Sequence, residues 1–387
     1  LVVNDGSGTP AEAARWVAYC NESADGPQGS RRAANGHPLP YGVRLWGVGN
    51  EVWGRWQIGH TGPDGYTARL HEFAEAMRAA DPTIRIVAVG QSILDEAPDH
   101  PGRLWNEAVL RGAGDRIDYL SFHIYQPEKE GWQAMDDPDA LHRAVCVAPL
   151  DVEAIIQRMA AQIEELVPGR EIRVALDEWN LWLPPPPEAA TMHRVVYTQR
   201  DALYVAGMFH VFHRQCQALG MANLAQLVNV LPLIVTDERR AVATAIYYPF
   251  LIYRHTERLA LRVEVDGPTF DSEPYGTIGG HRSVPYLDVT TTCDAERQRL
   301  VLGLINRHPR RKVRASMTLR GFEALSPAHA WLLTGPDPLA ANTLERPGRV
   351  QVQEGPLPIV RGDRLRYDLP ACSVAVVVLE KQPRKGV

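Results

Sequence analysis

The order of apolar and polar positions divides the chain into two regimes. Up to about residue 257, short β-branched runs alternate with longer stretches of helical period, the pattern of βαβ units and a parallel sheet. Six runs read as strands: Leu1–Val3, Val43–Val48, Ile84–Val89, Ile117–Phe122, Ile172–Leu176 and Leu224–Val230. Between them Tyr66, Leu70, Phe73, Ala74 and Met77 fall on one helical face. Val152, Ile155, Ile156, Met159, Ile163 and Leu166 repeat that spacing until Pro168-Gly169 ends it. Asn21–Pro40 and Gln126–Pro149 have turn residues or mixed charge without a period and are expected to be loops. Beyond about residue 258 the helical period disappears. Tyr286–Thr291, Arg299–Asn306, Lys312–Leu319, His329–Leu333, Arg349–Val352 and Ser373–Leu379 then predict an all-β sandwich. The expected domains are 1–257 and 258–387.

Composition narrows the partners. With 41 Lys and Arg against 46 Asp and Glu, the net charge of −5 argues against a general nucleic-acid binder. No apolar run reaches the length of a membrane span, and none of the five scattered cysteines forms a Cys-x-x-Cys pair, so a cytoplasmic chain without a metal or cofactor is expected. Gly6-Ser7-Gly8-Thr9-Pro10-Ala11 formally fits a relaxed dinucleotide pattern, but the second strand that a nucleotide fold needs falls in the loop Asn21–Pro40. Helix capping by Thr9 or Ser7 explains it better. His210 and His213 share a helix without an acidic or cysteine partner at ligand spacing, and read as packed or surface histidines.

Two glutamates carry the chemical signal. Glu51 ends the strand that runs through Trp46-Gly47-Val48-Gly49-Asn50, and Glu178 ends the one that runs through Val174-Ala175-Leu176-Asp177. In α/β barrels the C-terminal strand ends are where active sites are built. Both acids are flanked by indoles and amides: Asn50, Trp53 and Trp56 beside the first, Trp179, Asn180 and Trp182 beside the second. Aromatic faces with amide donors suit a sugar ring. Two carboxylates facing each other across a glycosidic bond give a complete mechanism, and close approach is expected to leave one protonated and the other ionised.

At these residues the chain resembles the α-L-arabinofuranosidases of glycoside hydrolase family 51. The matching segments are Trp46-Gly47-Val48-Gly49-Asn50-Glu51, Trp56-Gln57-Ile58-Gly59-His60, Ser121-Phe122-His123-Ile124-Tyr125, Asp177-Glu178-Trp179-Asn180-Leu181-Trp182 and Asn223–Val230. The resemblance implies a (β/α)8 TIM barrel followed by a β-sandwich. It implies Glu51 as general acid/base and Glu178 as nucleophile of a retaining exo-α-L-arabinofuranosidase. Asn50 would bond the sugar 2-hydroxyl, Tyr125 would contact the nucleophile, and His123 would support the acid/base. Trp56, Trp182 and Gln226 would line the sugar pocket. The substrates implied are arabinofuranose-containing oligosaccharides, and the assembly a homo-oligomer, a hexamer. In family order the six strands are numbers three to eight; strands one and two, with an acidic residue and an asparagine, are missing. The chain is therefore expected to be a fragment or a truncated sequence, inactive alone. The loops Pro184–Glu188 and Gln126–Pro149 are where substrate preference would differ. Another retaining member of the same clan, a β-xylosidase or an endoglucanase, and a non-catalytic carbohydrate-binding remnant are the competing readings.

Overall fold

The computed structural model describes residues 1–128, 132, 137–322 and 324–381. A six-stranded sheet runs in chain order: β1 (Val2–Val3), β2 (Leu45–Val48), β3 (Arg85–Ala88), β4 (Tyr119–Gln126), β5 (Arg173–Leu181) and β6 (Leu219–Leu224). Pairing is parallel from β1 through β4, with Val2 opposite Gly47, Trp46 opposite Ile86 and Val87 opposite Tyr119. Parallel neighbours need crossover connections. They are supplied by α1 (Pro10–Asn21), α2 (Pro27–Ala34), α3 (Pro63–Ala80), α4 (Pro101–Ala113), α5 (Pro138–Leu166) and α6 (Gln199–Arg214). A short α7 (Tyr247–Tyr253) follows. This is the βα architecture from which TIM barrels are made, and it leads into an all-β region.

Compact packing groups the chain into two units. The first comprises Leu1–Ile124, Ala154–Glu178 and Gln217–Asn223; the second Tyr125–Glu153, Trp179–Cys216 and Leu224–Val387. In the first, the α3 face of Tyr66, Leu70, Phe73, Ala74 and Met77 is buried as its spacing predicts. Thr9 caps α1 by accepting from the Glu12 amide at 3.2 Å, while Ser7 accepts from Asn4 instead.

The second unit holds a six-stranded sheet ordered Gln351–Glu354, Leu325–Thr334, Ser373–Lys381, Arg299–Asn306, Leu287–Cys293 and Leu259–Leu261. A three-stranded sheet of Val313–Thr318, Arg364–Leu369 and Ile359–Arg361 accompanies it. Leu300, Leu302, Leu304, Ala375, Val377 and Leu379 share one core with Ala315, Leu365, Tyr367 and Leu369 of the smaller sheet. The alternate residues Val374, Val376 and Val378 are buried too, because α6 and α7 pack against the central strand. Buried charges reinforce that packing. Asp288 lies 2.6 Å from Arg307 Nη2, 3.1 Å from His210 Nδ1 and 3.6 Å from Arg214 Nη1. Burial pushes the Asp288 carboxyl up, but Arg307, His210 and Arg214 outweigh it and hold the group far below the usual carboxylate range. His213 Nδ1 faces Thr290 Oγ1 at 3.0 Å, so the two α6 histidines are packing groups.

Three expectations are corrected. The sixth strand is Leu219–Leu224, not Leu224–Val230: Asn229 and Leu231 take positive φ, and Leu227 and Val228 are exposed, so the segment is a loop. Asn21–Pro40 contains α2, started by Pro27 and by Glu22 accepting from the Gln28 and Gly29 amides. Arg32 anchors it, fully buried and donating to the carbonyls of Tyr19, His37 and Pro38. Of Gln126–Pro149, residues 129–131 and 133–136 lie outside the described residues, and everything from Pro138 belongs to α5.

Candidate active site

Glu51 sits on a turn that the first unit holds in an uncommon conformation. Gly49 has φ of 83° and Glu51 has φ of 46°, the left-handed region that a side chain adopts only at a cost. Glycine is required at position 49 for a second reason: a Cβ there would lie 2.6 Å from Asp5 Oδ1. Tyr66 fixes the strand end beneath, donating to the Val48 carbonyl at 2.8 Å and accepting from the Val89 amide at 2.7 Å. The loop beyond folds back in tight turns. The Gly54 amide bonds the Glu51 carbonyl at 2.7 Å and the Thr61 amide bonds Val52 at 3.0 Å.

The side chains converge on His123. Residues 121, 123 and 125 alternate with buried Phe122 and Ile124 on β4, so His123 and Tyr125 share a face. His123 Nδ1 lies 2.8 Å from Glu51 Oε1 and 3.6 Å from Glu178 Oε2. Its Nε2 is 3.2 Å from Asp177 Oδ1, off the line of a good hydrogen bond. One ligand atom each from Glu51, His123 and Glu178 falls within 4.8 Å of the others. Trp56 completes the group, its indole donating to Glu51 Oε2 at 3.1 Å while the ring stays two-thirds exposed, at 68%. Trp53 meets it edge-on at 5.4 Å and is itself anchored to the Gly90 carbonyl.

The electrostatics follow from this geometry. Burial pulls the His123 imidazole down, but Asp177, Glu51 and Glu178 outweigh it and raise the group to about 10. Burial pushes Glu51 up, yet the hydrogen bonds from His123, Trp56 and Gln57 prevail and bring its carboxyl below the usual range. The Glu51 carboxylate is thus held ionised beside a protonated imidazole. Glu51, His123 and Glu178 have the spacing to hold a cation, which would have to displace the imidazolium proton.

The remaining predicted residues fall in the second unit, apart from Asn50, which is exposed next to Glu51. Trp182 stacks on His193 at 4.9 Å and meets Tyr125 edge-on at 5.6 Å, with its indole donating to the Met192 carbonyl. Trp132 donates to the Trp182 carbonyl at 2.8 Å. Gln226 is exposed on the loop after β6. Two flanking residues have other work. Asn180 is buried and spends its amide on the carbonyls of Ala225 and Leu231. Trp179 is caged by Tyr204, Phe212 and Phe250. Sequence reasoning passed over Asp177, because neighbours on a strand point to opposite faces, and His193, which no pattern marks.

Paired carboxylates at the strand ends of a βα scaffold, with an exposed indole beside them, are the arrangement seen in glycoside hydrolases. Comparison with known sequences gives the family. Residues 177–373 match the family model of the α-L-arabinofuranosidase C-terminal domain, and residues 5–143 that of the α-L-arabinofuranosidase 1 domain. The chain belongs to the α-L-arabinofuranosidase family. A probable α-L-arabinofuranosidase C from Aspergillus terreus is 31% identical over 75% of this chain. The match takes in 58% of that relative's length, so the chain spans little more than half of it. An intracellular exo-α-(1→5)-L-arabinofuranosidase 1 from Bacillus subtilis is 27% identical over 99% of this chain and 75% of its own length. The α-L-arabinofuranosidase from Thermotoga maritima, crystallised with arabinose, superposes with a TM-score of 0.83 and 28% identity, covering 98% of this chain and 75% of that one. Among the described residues no helix is long and apolar enough to cross a membrane.

Proposed function

We propose that the chain acts as an intracellular retaining exo-α-L-arabinofuranosidase. It releases terminal non-reducing α-L-arabinofuranosyl units from arabinan or arabinoxylan oligosaccharides. The observation that carries the reading is the carboxylate spacing. Oxygens of Glu51 and Glu178 lie within 4.8 Å, close to the roughly 5–5.5 Å of retaining enzymes and short of the roughly 6.5–9.5 Å that leaves room for an inverting water. Glu178 attacks the anomeric carbon while Glu51 protonates the leaving oxygen; Glu51 then acts as base and activates the water that frees the sugar. Sugar binding replaces the solvent around Glu51 and raises its proton affinity, and His123, 2.8 Å away, holds the proton it needs. Asn50, Tyr125, Trp56, Trp182 and Gln226 are assigned to the sugar.

The test uses nitrophenyl arabinofuranoside, xyloside and cellobioside. Glu178→Ala abolishes turnover and azide restores product at that position alone. Glu51→Ala loses about 10²- to 10⁴-fold on natural oligosaccharides but retains activity on aryl leaving groups that need little protonation. Normal turnover by Glu178→Ala, or preference for xyloside or cellobioside, overturns the reading.

A further inference from the structure

A cavity of about 130 Å³ in the second unit contains none of the residues assigned to catalysis. At roughly 30 Å³ per water, it has room for one small molecule. One wall is aromatic. Phe270 and Tyr286 have ring centroids 4.8 Å apart, and Tyr286 and His308 4.7 Å, so three rings form a continuous apolar surface. The rest of the lining carries charge, from Asp139, Arg143, Arg307 and Arg310. Arg307 is engaged with Asp288 at 2.6 Å, and Arg310 with Asp139 at 2.7 and 3.0 Å. Arg143 lines the same cavity and among the described residues makes no ion pair, which leaves a surplus positive charge. His308 registers that field: burial, then Arg311, His142 and Arg310, push its imidazole down.

His142 is the second observation. It lines the cavity, is only 4% exposed, and its Nε2 lies 2.8 Å from the Arg307 carbonyl, so that nitrogen carries the hydrogen. Its Nδ1 is buried without a hydrogen-bond partner. Burial works against the charged form, but Cys146 and the Arg307 carbonyl outweigh it, and the imidazole is raised. A buried ring nitrogen without a partner is a polar atom left for a ligand to meet, because an unmet buried polar group costs about 1–3 kcal/mol.

We infer that this cavity binds a small ring-bearing carboxylate, of the hexuronic acid class, with its carboxylate toward Arg143, a hydroxyl toward His142 and its carbon face on the Phe270–Tyr286–His308 wall. A bare phosphate would leave the aromatic wall uncovered. A neutral sugar would leave the Arg143 charge unmet. The inference is independent of the glycosidase reading.

Calorimetric titration of the full chain with glucuronate, glucose, acetate and inorganic phosphate tests it. Glucuronate binds saturably, with at least about tenfold higher affinity than any of the other three. Arg143→Ala, whose thermal melt matches the parent, weakens glucuronate at least about tenfold, and Arg143→Lys recovers part of the loss. Saturation-transfer NMR on the unaltered chain needs no variant, and saturation reaches the carbon-face protons of glucuronate. Glucose or phosphate binding as tightly as glucuronate, an Arg143→Ala titration matching the parent, or the absence of saturation transfer overturns the inference.

Discussion

Removing the imidazole that joins the carboxylates gives a measurable dependence of stability on pH. In the folded chain His123 titrates at about 10, against about 6.5 for the group in an unfolded chain. Its folded pKa is raised, so the stability it contributes is fully present below pH of about 6.5 and is lost as pH rises through about 10. Between those limits the native state holds one proton that the unfolded chain lacks. The unfolding free energy therefore falls by about 1.4 kcal/mol per pH unit, to a total of at most about 5 kcal/mol. His123→Gln retains a donor toward Glu51 Oε1 but cannot take up the proton, so its curve over the same range lacks this descent. Urea unfolding of both proteins at five pH values from 6 to 10 measures the difference. Parallel curves would refute the assignment of the proton to His123, and with it the explanation of why three acids tolerate one another there.

Other substitutions probe features elsewhere in the chain. Asp288→Asn leaves the buried Arg307 guanidinium without its counter-charge and should cost about 3–5 kcal/mol in chemical unfolding, whereas an apolar replacement of Asp288 and Arg307 together should cost much less. Gly49→Ala meets both the positive φ and the Asp5 carboxylate, and should lower stability by about 1–3 kcal/mol, read as a fall in thermal midpoint. Asn180→Ala releases the two loop carbonyls and should destabilise by about 1–3 kcal/mol, with faster amide exchange in residues 225–231 as its signature.

Much of the architecture was legible because burial enforces a period. The Arg299–Asn306 strand, buried on both faces, matches its expected limits, and the α3 face is buried residue for residue against a core. Where other forces decide, periodicity misleads. The apolar run Leu224–Val230 looks more like a strand than Leu219–Leu224, which contains Gly220, Ala222 and Asn223, yet the latter occupies the sheet position. Helix α2 has almost no apolar stripe and rests on a buried arginine bonded to three carbonyls, a device that leaves no repeat in the sequence. At the site, the glutamates were visible from their places at strand ends. The protonated histidine between them was not, because its charge arises from three acids, two of them on another strand and the third on the turn after β2.

The left-handed turn at Glu51 ties the carboxylate proposed as acid/base to bonds made by residues further along the loop. Its backbone would relax toward an ordinary extended path if the bonds from Gly54 and Thr61 into this turn were loosened. A protein engineer who lengthens or swaps the segment 52–61 to accept a bulkier aglycone would therefore shift the proposed acid itself, even with Glu51 and Glu178 left in place.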